Sequence, residues 1–185
     1  MLPIAARMEL LVCWMAWGYP FVFRAPHSQK RPSVTVPGPT RVGVLLEVAG
    51  IGLASLPAPG TPRTSLAALG AALVLGICGA VLSWTAVRHL GKQFRIHAGL
   101  YIDHELVRTG PYALVRHPIY ASMLALLAAT IVLLTPWPLA AIALALWTAG
   151  TEIRVRSEDR LLASRFGEQF ADYQRRVPAY LPFVR

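Results

Sequence analysis

The chain has 185 residues, enough for one domain or two at most. Hydrophobic residues make up 55% and charged residues 15%, against about 25% charged in soluble domains, which argues against a soluble globular protein and against disorder. The net charge is +9, but its placement follows topology, so nucleic-acid binding is a poor explanation of it.

Five apolar stretches follow in chain order: about Leu10–Phe23, Val42–Pro57, Leu66–Val87, Ile119–Thr135 and Trp137–Ile153. Roughly 20 apolar residues cross a bilayer as a helix. The third stretch is comfortably long and the others reach that length with their flanks or in a tilted bundle. Arg7 before the first stretch makes a signal peptide the rival reading there. The lack of a small-residue cleavage site and the presence of Arg24 favour a retained helix. With five spans, alternate loops share a side. Of the 18 Lys and Arg only Arg7 and Arg63 then fall on the side opposite the segments 24–41, 88–118 and 154–185. Positive-inside asymmetry puts the N-terminus outside and those three segments in the cytoplasm. Segment 26–39 reads as an extended loop. Pro57-Ala58-Pro59-Gly60 and Pro136-Trp137-Pro138 mark turns, the second a tight hairpin. Ala72, Gly76 and Ala80 form a four-residue small-residue repeat that permits close helix contact in lipid or is plain alanine-rich helix. Cys13 and Cys78 read as small buried hydrophobes.

Glu47 is the one acid well inside a candidate span, Glu152 standing next to the end of the fifth. It is either functional or, being close to Arg41, an interfacial residue of little consequence. The five His have no metal-ligand spacing, and no metal is expected. No dinucleotide fingerprint or nucleophile elbow is present. Polar chemistry concentrates in two places. His104 to Tyr120 holds two His, two Arg and two Tyr, with Pro118 suited to the first turn of the fourth helix and that helix N-terminus open to an anion. Glu152 to Leu162 continues the fifth helix beyond the membrane, with Arg154 and Glu158 on one face. Phe166-Gly167 marks its end, and Tyr173–Pro182 reads as a peptide returning to the membrane surface.

Together, His104-x-Leu-Val, Gly110-Pro-Tyr112, Arg116-His117-Pro118-x-Tyr120, Arg154-x-x-x-Glu158-Asp159-x-x-Leu162, Phe166-Gly167 and Val177-Pro178 resemble the isoprenylcysteine carboxyl methyltransferase family, over about residues 84–185. The resemblance implies an all-α integral-membrane domain of about five helices. Three N-terminal helices would lie over 1–87 and the cofactor-binding part over 88–185, with a cytoplasmic loop and C-terminal helix forming the pocket. It implies S-adenosylmethionine as methyl donor, S-adenosylhomocysteine as product, and a lipophilic, prenylated acceptor drawn from the bilayer. The implied cofactor contacts are His97, His104, Leu106, Val107, Tyr112, Arg116, His117, Pro118, Tyr120, Glu158 and Asp159. Arg154 would hold the acceptor's polar head, and Arg154 and Glu158 are the catalytic candidates. Asp159 and Ser122 stand where the family usually has Glu and Gly.

A carboxylate acceptor needs no general base, whereas an amine acceptor would call on Glu158 or Asp159. Methylation of an amine-headed phospholipid is therefore the alternative reaction, and a non-catalytic membrane binding or scaffold protein the alternative class. A sterol reductase would need further helices.

Overall fold

The computed structural model describes residues 2–23, 34–35, 37–56, 65–94, 99–100 and 105–181. Six α-helices dominate: α1 Leu2–Phe23, α2 Pro37–Ala54, α3 Leu66–Leu90, α4 Pro118–Leu134, α5 Trp137–Phe166 and α6 Glu168–Arg176. A two-residue antiparallel ladder pairs β1, Val34–Thr35, with β2, Gly99–Leu100. The helix starts follow local chemistry. Ser65 caps α3 by accepting from the Ala68 N–H at 3.1 Å. Pro118 opens α4 directly after His117, where a missing N–H costs nothing. α2 begins at Pro37, inside the stretch expected as loop, for the same reason.

Among the described residues one helix, Leu66–Gln93, is by itself long and apolar enough to cross a membrane, and Pro118–Leu134 is apolar but shorter. α5 carries 30 residues, about 45 Å at 1.5 Å per residue. That is longer than a hydrocarbon core of about 30 Å. The outer faces of α1 to α3 expose large apolar side chains, among them Leu11, Met15, Leu45, Val48, Val74, Ile77 and Val81. An exterior of this kind suits lipid rather than water.

The packing order differs from a simple hairpin reading. α2 lies along α5, α3 along α4 and α1 along α3, while α4 and α5 touch only sparsely despite their tight connection. Small residues decide this. The inward stripe of α3 is Ala72, Gly76, Gly79 and Ser83. A side chain at Gly76 would run into Cys13 of α1, and one at Gly79 would meet the Ser122 carbonyl of α4 at 2.9 Å. Gly79 thus takes the place assigned to Ala80. Cys78, on the opposite face of α3, is exposed rather than buried, whereas Cys13 is buried. α1 is further tied by Trp17 Nε1 donating to Ser122 Oγ at 2.8 Å and Trp84 Nε1 donating to the Ala16 carbonyl at 2.9 Å.

The α2–α5 crossing is equally close. A Cβ at Gly50 would sit 2.6 Å from the Ala143 carbonyl, and one at Gly150 would sit 2.5 Å from the Gly43 carbonyl. Gly50→Ala should therefore lower the apparent melting temperature of the detergent-solubilised protein by several degrees, on an overpacking cost of roughly 1–3 kcal/mol. Gly52→Ala, whose added carbon meets nothing within 4 Å, should leave it unchanged or higher.

Candidate functional site

The polar side chains converge between the start of α4 and the C-terminal half of α5. Gly110 takes a positive φ of 60° and lets the chain turn against the His89 ring, which a side chain there would strike. The turn of 3-10 helix from Gly110 to Ala113 buries Pro111 and Tyr112. The chain then reaches Arg116 and His117.

His117 is the hinge of the cluster. Its Nε2 lies 2.9 Å from Asp159 Oδ1 and its Nδ1 lies 3.4 Å from Glu158 Oε2. Burial alone would lower the imidazole, but the hydrogen bonds and charges of Asp159 and Glu158 outweigh it and push His117 up to about 9. The same contacts act on the carboxylates. Burial opposes ionisation, yet His117 and the Tyr120 hydroxyl hold Glu158 below its usual range. His117 and Arg116 do so for Asp159. Both acids are occupied as acceptors. Tyr120 Oη donates to Glu158 Oε1 at 2.5 Å. Asp159 Oδ2 takes Arg116 Nη2 at 3.0 Å and Gln174 Nε2 at 3.1 Å.

The C-terminal segment closes over this cluster. α5 ends at Gly167, with φ 51°, and α6 folds back so that the Tyr173 hydroxyl donates to the Tyr112 carbonyl at 2.5 Å. Burial pushes the Tyr173 phenol up to about 12, so it remains a donor. The main-chain N–H groups of Arg116 and His117 donate to the Pro178 and Ala179 carbonyls, each at 2.8 Å. Arg116 Nη1 donates to the Val177 carbonyl at 2.5 Å. The donors expected to stand open to an anion at this mouth are thus in part taken by the chain itself.

Arg154 lies on the same face of α5, with its guanidinium carbon 5.0 Å from the centre of the Tyr120 ring. Its salt bridge runs across to α2, where Glu47 Oε2 receives Nη1 at 2.6 Å. Glu47 is 2% exposed and also accepts from Thr151 Oγ1 at 3.0 Å, so it is not an interfacial bystander.

The structure brings together Tyr112, Arg116, His117, Pro118, Tyr120, Arg154, Glu158 and Asp159. Leu106 and Val107 are half-buried on the approach. His97 and His104 lie outside the described residues. Tyr112 offers an opening for a ligand, since its buried hydroxyl has no hydrogen-bond partner among the described residues. Among those residues no group of three or more His, Cys, Asp or Glu could hold a metal ion. The sequence reading missed Glu47 as the Arg154 partner, as well as Thr151, Gln174 and the carbonyls of 177–179. Only Glu47 carried a signal, as a lone acid in an apolar run.

Comparison with known proteins points the same way. The model of the isoprenylcysteine carboxyl methyltransferase (ICMT) family matches residues 72–164. A protein-S-isoprenylcysteine O-methyltransferase of Tribolium castaneum is 36% identical over 117 residues, 60% of this chain and 41% of that protein. The nickel-cobalt-cadmium resistance protein NccN of Alcaligenes xylosoxydans xylosoxydans is 29% identical over 163 residues, 82% of this chain and 72% of its own. The solved structure of a eukaryotic intramembrane Ras methyltransferase, isoprenylcysteine carboxyl methyltransferase, superposes with a TM-score of 0.63 at 22% identity. That match covers all of this chain and 68% of the other, and it shows a shared fold. The chain spans about half the length of the methyltransferase relatives it matches.

The buried charges set a pH dependence. His117 stabilisation is fully present below pH 6.5 and is lost as pH rises through about 9, a change of about 3 kcal/mol over that interval. The lowered Glu158 and Asp159 contribute above their usual carboxylate range and lose that contribution only as pH falls through their depressed values. Thermal melts should show stability falling from about pH 6.5 to pH 9, and His117→Gln should flatten that alkaline decline while lowering stability at neutral pH.

Proposed function

The chain belongs to the isoprenylcysteine carboxyl methyltransferase family, and from that premise we propose that it moves a methyl group from S-adenosylmethionine to a lipophilic acid, the carboxylate of a prenylated cysteine or an analogue. The observation that carries the choice of acceptor is the state of Glu158 and Asp159. Both are held ionised by His117 and engaged by donors, which makes them poor proton acceptors. An amine acceptor needs a base at this place, and an acceptor that is already an anion does not.

The residues present fit the methyl donor. Tyr112 brings a buried hydroxyl without a hydrogen-bond partner among the described residues, Glu158 an anionic acceptor, and Leu106, Val107, Pro118 and Tyr120 apolar surface. His117 orients Glu158, while Arg116 and Asp159 brace His117 from behind. His97 and His104 belong to the same proposed set. When bound, S-adenosylmethionine would supply an electrophilic methyl on a sulfonium, with S-adenosylhomocysteine as the neutral leaving group. Arg154 holds the acceptor head by charge-assisted hydrogen bonds, and the apolar helices keep water from the reacting groups, so the protein's contribution is placement and desolvation. Five spans put the site on the cytoplasmic face and the N-terminus outside, a layout supported by the loop charge asymmetry. The acceptor then reaches the site from the bilayer.

Calorimetric titration of S-adenosylhomocysteine into the purified protein tests this reading. We expect binding by the wild type and a loss of about tenfold or more in Glu158→Gln. The wild type should methylate a farnesylated cysteine in preference to phosphatidylethanolamine, with a rate that does not fall between about pH 8 and pH 6. No binding in either detergent or lipid would remove the methyltransferase reading.

A further inference from the structure

The carboxylate of Glu47 stands inside an apolar helix, far along the chain from the motifs that mark the site. Three contacts fix it there. Arg154 Nη1 lies at 2.6 Å, Thr151 Oγ1 lies at 3.0 Å, and the α2 backbone runs against α5 so closely that a Cβ on Gly150 would sit 2.9 Å from the Glu47 nitrogen. Gly43 and Gly50 lie four before and three after Glu47, on the same helix face. Arg154 and Thr151 follow Gly150 by four and one. The glycine crossing therefore delivers one carboxylate to one guanidinium. A side chain at Gly43 would meet Arg154 Cγ at 2.5 Å and Cδ at 3.2 Å, so α2 also carries the Arg154 stem.

A long flexible arginine has many rotamers, and its head is useful to a reacting acceptor only in one of them. Here the stem rests on Gly43, one edge of the guanidinium is drawn to Glu47, and the plane approaches the Tyr120 ring at 5.0 Å. The hydroxyl of that same Tyr120 binds Glu158. A buried ion pair made only to stabilise α2 against α5 would have no need to face the ring that joins the two halves of the site. Glu47 also lies outside residues 72–164, the part matched by the family model.

We propose that Glu47 is a positioning residue for the acceptor: it holds Arg154 over Tyr120 in the orientation that receives the acceptor's anionic head, so that α2 contributes to acceptor selection without touching the methyl donor. The inference rests on the assignment of Arg154 to the acceptor.

The test compares wild type, Glu47→Gln, Glu47→Asp, Arg154→Lys and the double variant Glu47→Gln/Arg154→Lys in lipid nanodiscs. The probes are a farnesylated cysteine and S-adenosylhomocysteine. For Glu47→Gln, we expect kcat/KM for the acceptor to fall about 10- to 100-fold, mostly through a raised acceptor KM, with S-adenosylhomocysteine affinity within about twofold of wild type. Glu47→Asp should recover at least about a third of the lost kcat/KM, because it keeps the charge. In the Arg154→Lys background Glu47→Gln should cost less than about threefold more, since the two act as one unit. Equal loss of acceptor turnover and S-adenosylhomocysteine binding in Glu47→Gln would reduce Glu47 to a structural role and overturn the inference. So would full activity in Glu47→Gln alongside a crippled Arg154→Lys, which leaves the Arg154 assignment intact. Full activity in Arg154→Lys and in an added Arg154→Ala would instead remove the Arg154 assignment itself, and this inference with it.

Discussion

His117 sits between two carboxylates in surroundings that offer little water, and the ends of the polar network are tied to it. A charge moved from water into such a place costs several kcal/mol unless it is paired and hydrogen-bonded. The chain meets that requirement by balance. Arg116, His117 and Arg154 face Glu47, Glu158 and Asp159 through direct contacts of 2.6 to 3.4 Å. Asp159 and Glu158 join Arg116 and His117 into one cluster, and the Glu47–Arg154 bridge stands beside that cluster across the Tyr120 ring.

The His117 cluster reaches into the C-terminal tail. Arg116 contacts the tail through its side chain and its main chain, and His117 does so through its main chain. The tail carries α6, and Phe170 of α6 is fully buried. Tyr180 closes the far edge, donating to Glu152 Oε1 at 2.8 Å and standing edge-on to Trp147. The start of α4, the C-terminal end of α5 and the tail are thus mutually dependent, which explains why two short motifs distant in sequence form one site.

Much of this was legible in the sequence. The Arg116-His117-Pro118 string placed the start of α4, and Phe166-Gly167 placed the end of α5. These are local signals, written within a few residues of the feature they specify. The pairing of α2 with α5 was not legible, because it depends on Gly43, Gly50 and Gly150 meeting across about a hundred residues of chain. The small-residue repeat of α3 was visible because both halves of it lie on one helix. Glu47 was visible as an oddity, but its partner was not. Arg154 stands 107 residues away, and the acid one helical turn on from it, Glu158, is bonded to Tyr120 and His117.

The division of labour among the acids follows from their donors. Glu158 and Asp159 share one imidazolium, so each is kept anionic by a cation that the other also needs. Protonating either weakens the hold on both. A group bound in this way is a fixed electrostatic feature and a poor proton shuttle. A displacement at a sulfonium carbon asks for no proton to move when the attacking group is already an anion. The electrostatic demand is then for orientation, which fixed charges meet without reorganising during the reaction. Glu47 extends the same logic to the acceptor side. An arginine paired with a buried carboxylate keeps its direction, and the pair adds little net charge to an apolar site. The proposed cofactor side is written in the segment matched by the family model, and the proposed acceptor side borrows a residue from α2. Changes in α2 could then alter which lipophilic acid is accepted while the methyl-transfer half of the site stays as it is.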